Sequence, residues 1–330
     1  MEKIDLSVII LSYNTKELLR RCLESVTGDQ LLVTGKNPIT DNESLITEVI
    51  VVDNGSTDDS QKMVKEYKIP ARNASHIEAG GQNTKYDIRL VENQTNQGYA
   101  KGNNTGLKHA HGKYILFLNS DTEVFKGALE EAVKFMEENP RVGAMSPKTL
   151  LDSGKMDPDC HRGFPTPWAS ITYFFGLEKL FPKSKLFGQY HKFYLDLEKN
   201  HEIDAGAGAF MIIPREIIDK VGIWDENYFF YGEDLDLFYR IKKAGYKVMF
   251  YARPLLKHFK GASSGLRKES KSIAKNSREN RIKVAKASVA AMEIFYKKFY
   301  QVQYPFWLTF IVLLAIKIKG KFRIIKHLLS

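Results

Sequence analysis

The chain has 330 residues, 43% of them hydrophobic and 27% charged. That is enough to bury one large domain with an appendage, and too apolar for a globally disordered chain. Two cysteines, Cys22 and Cys160, exclude a disulfide framework and a CxxC metal motif, and the net charge of +10 is uneven: residues 257–330 carry +14 and the remainder −4.

The first residues, Met1-Glu2-Lys3-Ile4-Asp5, show no secretory leader, so a reducing, cytoplasmic setting is expected. Leu6 to Asn14 reads as a buried strand running into a polar turn. Lys16 to Val26 reads as a helix with Leu18, Leu19, Leu23 and Val26 on one face. Thr27 to Thr47 reads as an inserted polar loop. Glu48 to Asp53 is a second, β-branched strand closed by Asn54-Gly55-Ser56, and a helix follows from about Asp58, with Ser56, Thr57 and Asp58 as candidate caps. Pro70 to Asp87 reads as a loop, Ile88 to Val91 as a short strand and Tyr99 to Ala110 as a helix. Tyr114 to Leu118 is a strand ending in Asn119-Ser120-Asp121.

Alternating strands and helices predict a mostly parallel sheet flanked by helices, with ligands at the carboxyl ends of the strands. Asn14, Asp53 and Asp121 fall at those ends. Each also suits a helix cap or turn; three together favour a site. Residues 151–203 are irregular, broken by Pro158, Pro165, Pro167 and Pro182. Ala205 to Pro214 and Val248 to Tyr251 read as later strands. Between them lies the most distinctive stretch, Trp224 to Arg240. There Glu233, Asp234 and Asp236 follow an aromatic cluster and a glycine and open a helix whose dipole favours carboxylates. Acids beside bulky aromatics can have their proton affinity retuned, which suits a general base; the plainer reading is a capped helix with a solvated first turn.

In combination and order these motifs resemble family 2 of the inverting glycosyltransferases, with the GT-A fold, from about Leu6 to Ser264. The resemblance rests on Ser7–Asn14, Val51–Asp58, Asn96–Gly106, Asn119-Ser120-Asp121, Gly208–Met211, Tyr231–Asp236 and His258. It implies donor-binding roles for Tyr13, Asn14, Asp53, Asn96, Gly98, Lys101, Asn103 and Ser120. It implies a divalent cation, Mn2+ or Mg2+, on Asp121 and His258. Asp234 would be the catalytic base, with Glu233, Asp236 and Trp224 on the acceptor side. Asn119 departs from the pattern, standing where many relatives carry an acid, so the diphosphate must hold the metal more directly. A carboxylate at Asp53 suits the ring N–H of uracil or thymine. His161 to Pro167 looks most like bacterial rhamnosyltransferases, which makes dTDP-rhamnose the first choice of donor. The acceptor would be a cell-surface glycan or glycolipid. Rival readings are a polyprenyl-phosphate glycosyltransferase and a non-catalytic nucleotide-sugar-binding membrane scaffold.

In the basic tail, Leu266 to Tyr300 is helix-prone, with Ile273, Val284, Ala287, Ala291, Ile294 and Phe295 as packing positions. The uncharged run Tyr304 to Ile316 is shorter than the ~20 residues of a spanning helix. Aromatics at one end and Lys317, Lys319, Lys321, Arg323 and Lys326 at the other predict a helix lying on an anionic membrane surface, at the inner face of the cell membrane. Packing on the catalytic domain, or a dimer contact, is the alternative. No nucleic-acid-binding motif accompanies the charge. The expected division is a catalytic domain, 1–264, and a helical tail, 265–330.

Overall fold

The structure, a computed structural model, describes residues 3–28, 45–67, 86–260 and 278–329. In chain order these form β1 (Leu6–Ser12), α1 (Lys16–Thr27), β2 (Thr47–Asp53), α2 (Ser60–Glu66), β3 (Tyr86–Glu92), α3 (Tyr99–Leu107), β4 (Tyr114–Asn119) and β5 (Thr122–Val124). Then come α4 (Ala128–Glu138), β6 (Val142–Leu151), α5 (Pro167–Phe174), α6 (Leu177–Leu180), β7 (His201–Ile203), β8 (Phe210–Pro214), α7 (Arg215–Val221), α8 (Glu233–Lys243) and β9 (Lys247–His258). The tail supplies α9 (Arg278–Phe295), a π-helical turn (Tyr296–Tyr300) and α10 (Phe306–Leu329).

The strands form one sheet in the order β3-β2-β1-β4-β8-β6-β9-β5, with β7 also on β9. β3, β2, β1 and β4 are parallel, β8 runs against β4, and β6 and β9 are again parallel to each other. Successive side chains of a strand point to opposite faces, so a sheet covered on both sides needs apolar residues at every position. β1 meets that need. Val8 and Ile10 belong to the core on the face that also holds Leu19 and Leu23 of α1 and Leu129 of α4, while Ile9 belongs to the opposite core, shared with Leu107 of α3 and, further along the sheet, Leu237 and Ile241 of α8.

The predicted elements of the first 120 residues are present with shifted ends. The N-cap position of α2 falls to Asp59, which makes no side-chain capping bond, while Asp58, one residue earlier, accepts from the Ser60 amide at 3.2 Å. The strand expected from Ala205 begins at Phe210, and the one expected over Val248–Tyr251 runs on to His258. Residues 122–151, for which the sequence suggests no element, hold β5, α4 and β6. The two expected loops lie largely outside the described residues, as do the 264/265 boundary, Leu266 and Ile273.

The tail packs on the domain. Ala291, Phe295, Tyr296, Phe299 and Tyr300 form an apolar cluster with Tyr228, and Phe164, Leu235 and Tyr239 pack against it. Lys298 bonds both Asp225 and Asp236 at 2.6 Å. Among the described residues no helix is long and apolar enough to cross a membrane.

Candidate active site

A cavity of about 1100 Å³ opens at the carboxyl ends of β1 and β4. Three segments far apart in sequence supply its polar wall. The first is Asn119, Ser120 and Asp121 after β4. Antiparallel pairing of β5 with β9 sets Thr122 opposite His258, and the Phe259 amide donates to the Asp121 carbonyl at 2.8 Å. His258 Nε2 thereby lies 3.3 Å from Asp121 Oδ1, and its Nδ1 lies 3.4 Å from Asp157 Oδ2. Burial works against a charged imidazole, but the carboxylates of Asp121 and Asp157 on either side push its pKa up to about 9. Lys260 closes the row, bonding Asp157 at 2.6 Å and also contacting Asp159.

The second segment opens α8. Tyr231 and Gly232 both adopt positive φ, 70° and 86°, which turns the chain into the helix and sets Glu233 and Asp234 against the cavity. Asp234 is fixed from two sides: Arg162 Nη2 donates to Oδ2, and the Leu235 amide donates to Oδ1 at 2.8 Å. Arg162 also bonds the Gly206 carbonyl, so its guanidinium is held as firmly as the carboxylate it meets. Burial, reinforced by the charge of Asp234, pushes Glu233 up to about 8.

The third is the start of α3. Gly98 has φ 87°, and a Cβ there would fall 2.4 Å from the Phe229 carbonyl oxygen; the Tyr99 amide donates to that same oxygen at 2.8 Å. Tyr13, Asn54, Asn96 and Gly98 line this side of the cavity.

Of the residues singled out from sequence, Tyr13, Asn96, Gly98, Ser120, Asp121, Glu233, Asp234 and His258 share this cavity. The others do not line it. Asp53 is buried at the end of β2, where Oδ1 accepts from the amides of Gly55 and Ser56 and from Gln61 Nε2, the Asx-turn arrangement; Oδ2 is buried without a partner. Asn14 ties two strand ends together through Ser56 and Thr57. Asn103 bonds the Tyr99 carbonyl from inside α3, and Lys101 is exposed on its outer face. Trp224 is 1% exposed, in the core against Tyr99 and Phe117, its backbone clamped by the Asn104 side chain at 2.9 and 3.1 Å. Asp236 is fully buried and paired with Arg240 and Lys298. The geometry thus gives Trp224 and Asp236 packing and ion-pairing positions off the cavity wall. Asp157, Arg162 and Lys260 escaped the sequence reading. They sit in or beside irregular segments, where no periodicity marks them, although Arg162 lies within the stretch that carried the rhamnosyltransferase resemblance.

Asp121 Oδ1, Asp157 Oδ2 and His258 Nδ1 are buried with no well-aligned hydrogen bond. Among the described residues no group of three or more His, Cys, Asp or Glu is arranged to hold a metal by itself. The donor set therefore fits a cation that takes Asp121 and His258 from the protein and its remaining ligands from elsewhere, with Asp157 orienting the imidazole from behind.

The glycosyl transferase family 2 model matches residues 7–222, which include the first and third segments of this cavity. The chain belongs to glycosyl transferase family 2. This family 2 chain is 31% identical over 196 residues to an uncharacterized glycosyltransferase of Rickettsia felis, covering 54% of the chain and 27% of that protein. It is 22% identical over 248 residues to the low-salt glycan biosynthesis hexosyltransferase Agl10 of Haloferax volcanii, covering 74% and 64%. The chain therefore spans less than two thirds of the length of these relatives. Among solved structures, the mannosyltransferase PcManGT from Pyrobaculum calidifontis, in complex with GDP-Man and Mn2+, superposes with a TM-score of 0.53 at 18% identity, over 99% of this chain and 74% of its own. That likeness establishes the fold, a mixed α/β GT-A architecture with its mostly parallel sheet and helical tail.

Proposed function

We propose that this glycosyltransferase is a cation-dependent, inverting hexosyltransferase that moves a sugar from a nucleoside diphosphate to a hydroxyl of a glycan or glycolipid. The observation that carries the reading is convergence: Asp121 with His258, and Asp234 with Glu233, face one cavity from distant parts of the chain. Agl10, a hexosyltransferase by name, supports the sugar class.

Asp234 accepts the proton of the acceptor hydroxyl as its oxygen attacks the anomeric carbon. The new C–O bond forms on one face while the bond to the diphosphate breaks on the other, so configuration inverts. Arg162 and the Leu235 amide fix the carboxylate at the cavity wall. Asp121 and His258 would hold the cation, which supplies neutralisation of the leaving diphosphate. Protonated Glu233 would donate a hydrogen bond at the acceptor side, its Oε2 being buried and unpartnered.

The test is a thermal-shift panel of nucleotide sugars, led by dTDP-rhamnose, with Mn2+, Mg2+ or chelator. Anomeric analysis of the transferred sugar by NMR follows. A response confined to cation-containing samples, with an inverted product, is expected. No response to any nucleotide sugar, full transfer in chelator, or a retained configuration would overturn the corresponding part.

A further inference from the structure

The cavity does not end at the carboxylates. It continues between α5 and α10, where Pro167, Ile171 and Phe174 face Ile311, Ala315 and Phe322. The two helices meet at its rim, with Lys319 Nζ 4.8 Å from the centre of the Phe174 ring. Along this rim aromatic side chains reach into solvent: Phe175, directly after α5, is 70% exposed, and Phe310 and Phe322 of α10 are 68% and 71% exposed. An apolar surface of this kind, continuous with a catalytic cavity, marks a binding face.

Two cations interrupt the apolar wall. Lys319 and Arg323 lie one helical turn apart on α10, and both line the cavity. Among the described residues neither is paired with a carboxylate, and α10 contains no acid at all. Burial first and Arg323 second lower the Lys319 pKa, the mark of two like charges held together in a partly desolvated wall. A neutral apolar ligand would leave both charges without a partner, and a free sugar would leave the aromatic walls wet. A ligand with an anion and a long aliphatic chain satisfies both.

We propose, on the strength of the transferase reading above, that the acceptor is lipid-linked: a sugar joined through a phosphate or diphosphate to a long aliphatic chain. The phosphate lies on Lys319 and Arg323. The chain leaves across the aromatic face of α5 and α10 towards the lipid phase, and the sugar hydroxyl points to Asp234.

Calorimetric titration of the full chain in non-ionic detergent tests the assignment, with geranylgeranyl phosphate, geranylgeraniol and inorganic phosphate as probes. The phosphate lipid is expected to bind roughly tenfold or more tighter than the alcohol, about 1.4 kcal/mol, and inorganic phosphate to bind far more weakly than either. The K319A/R323A double variant is expected to lose the preference for phosphate, and K319R/R323K to keep it. Equal binding of alcohol and phosphate lipid would overturn the proposal. So would inorganic phosphate binding as well as the lipid, a preference that survives in K319A/R323A, or concentration-dependent self-association with no lipid bound. Wild-type thermal shift with nucleotide sugars runs in parallel. Its absence beside intact lipid binding would count against the transferase reading and leave the lipid site standing.

Discussion

Asp234 and Glu233 are neighbours in sequence with opposite surroundings. Asp234 meets a guanidinium, and Glu233 meets apolar walls and the charge of Asp234. Removing the proposed base while keeping its shape isolates its chemistry: D234N is expected to lose about 10²–10⁴-fold in turnover while nucleotide-sugar binding persists, as read by transfer kinetics beside a donor thermal shift. Glu233 carries a pH signature. Its folded pKa, about 8, lies above the ordinary 4.5, so between those values the folded chain holds a proton that the unfolded chain releases. Stability therefore falls as pH rises through that window, by an amount on the order of a few kcal/mol. E233Q has no proton to lose. Its melting temperature is expected to stay flatter from about pH 5 to 8 and to exceed wild type above it, and parallel melting curves would contradict this. Both acids were legible in the sequence because an aromatic cluster, a glycine and a helix start sit together in one local stretch. Arg162 and Asp157 were not, because what makes them matter is a partner 72 or 101 residues away.

Among the elements, β1, β2 and β4 could be read directly, since strands buried on both faces carry unbroken apolar runs, here Val8–Leu11, Val49–Val52 and Ile115–Leu118. β9 was harder: its outer half alternates with Arg253, Pro254 and Lys257, and only pairing with β5 and β6 keeps it extended as far as His258. The tail shows the same division. Val284, Ala291 and Phe295 are buried as their helical spacing suggests, but spacing says nothing of which neighbour they cover. α9 and α10 approach closely at Gly320, where a Cβ would fall 2.6 Å from Val289 Cγ1. In G320A a gain in helix propensity of about 1 kcal/mol offsets that contact, so little net change is expected. G320L adds bulk that the gap cannot take and is expected to cost about 1–3 kcal/mol, visible as a lower melting temperature. A G320L protein as stable as wild type would show that the two helices are not held at this point.

At the scale of the molecule, the sheet brings the polar wall together and the tail helices complete the apolar one. The strand–helix rhythm made the first half of that arrangement legible. The second depends on how residues 278–329 fold back over the catalytic domain, which no local pattern encodes; Lys298, reaching to Asp225 and Asp236, shows how firmly that return is tied. The contact between Gly98 and Phe229 has a kinetic meaning. It is a rigid joint: the start of α3, on the proposed nucleotide side, and the lead-in to the proposed base meet at one carbonyl oxygen, with no spare room between them. G98A would wedge that joint apart and shift the whole run from Phe229 to Asp234. The Michaelis constants for donor and acceptor should therefore worsen together, whereas damage confined to one of them would mean that the halves move independently.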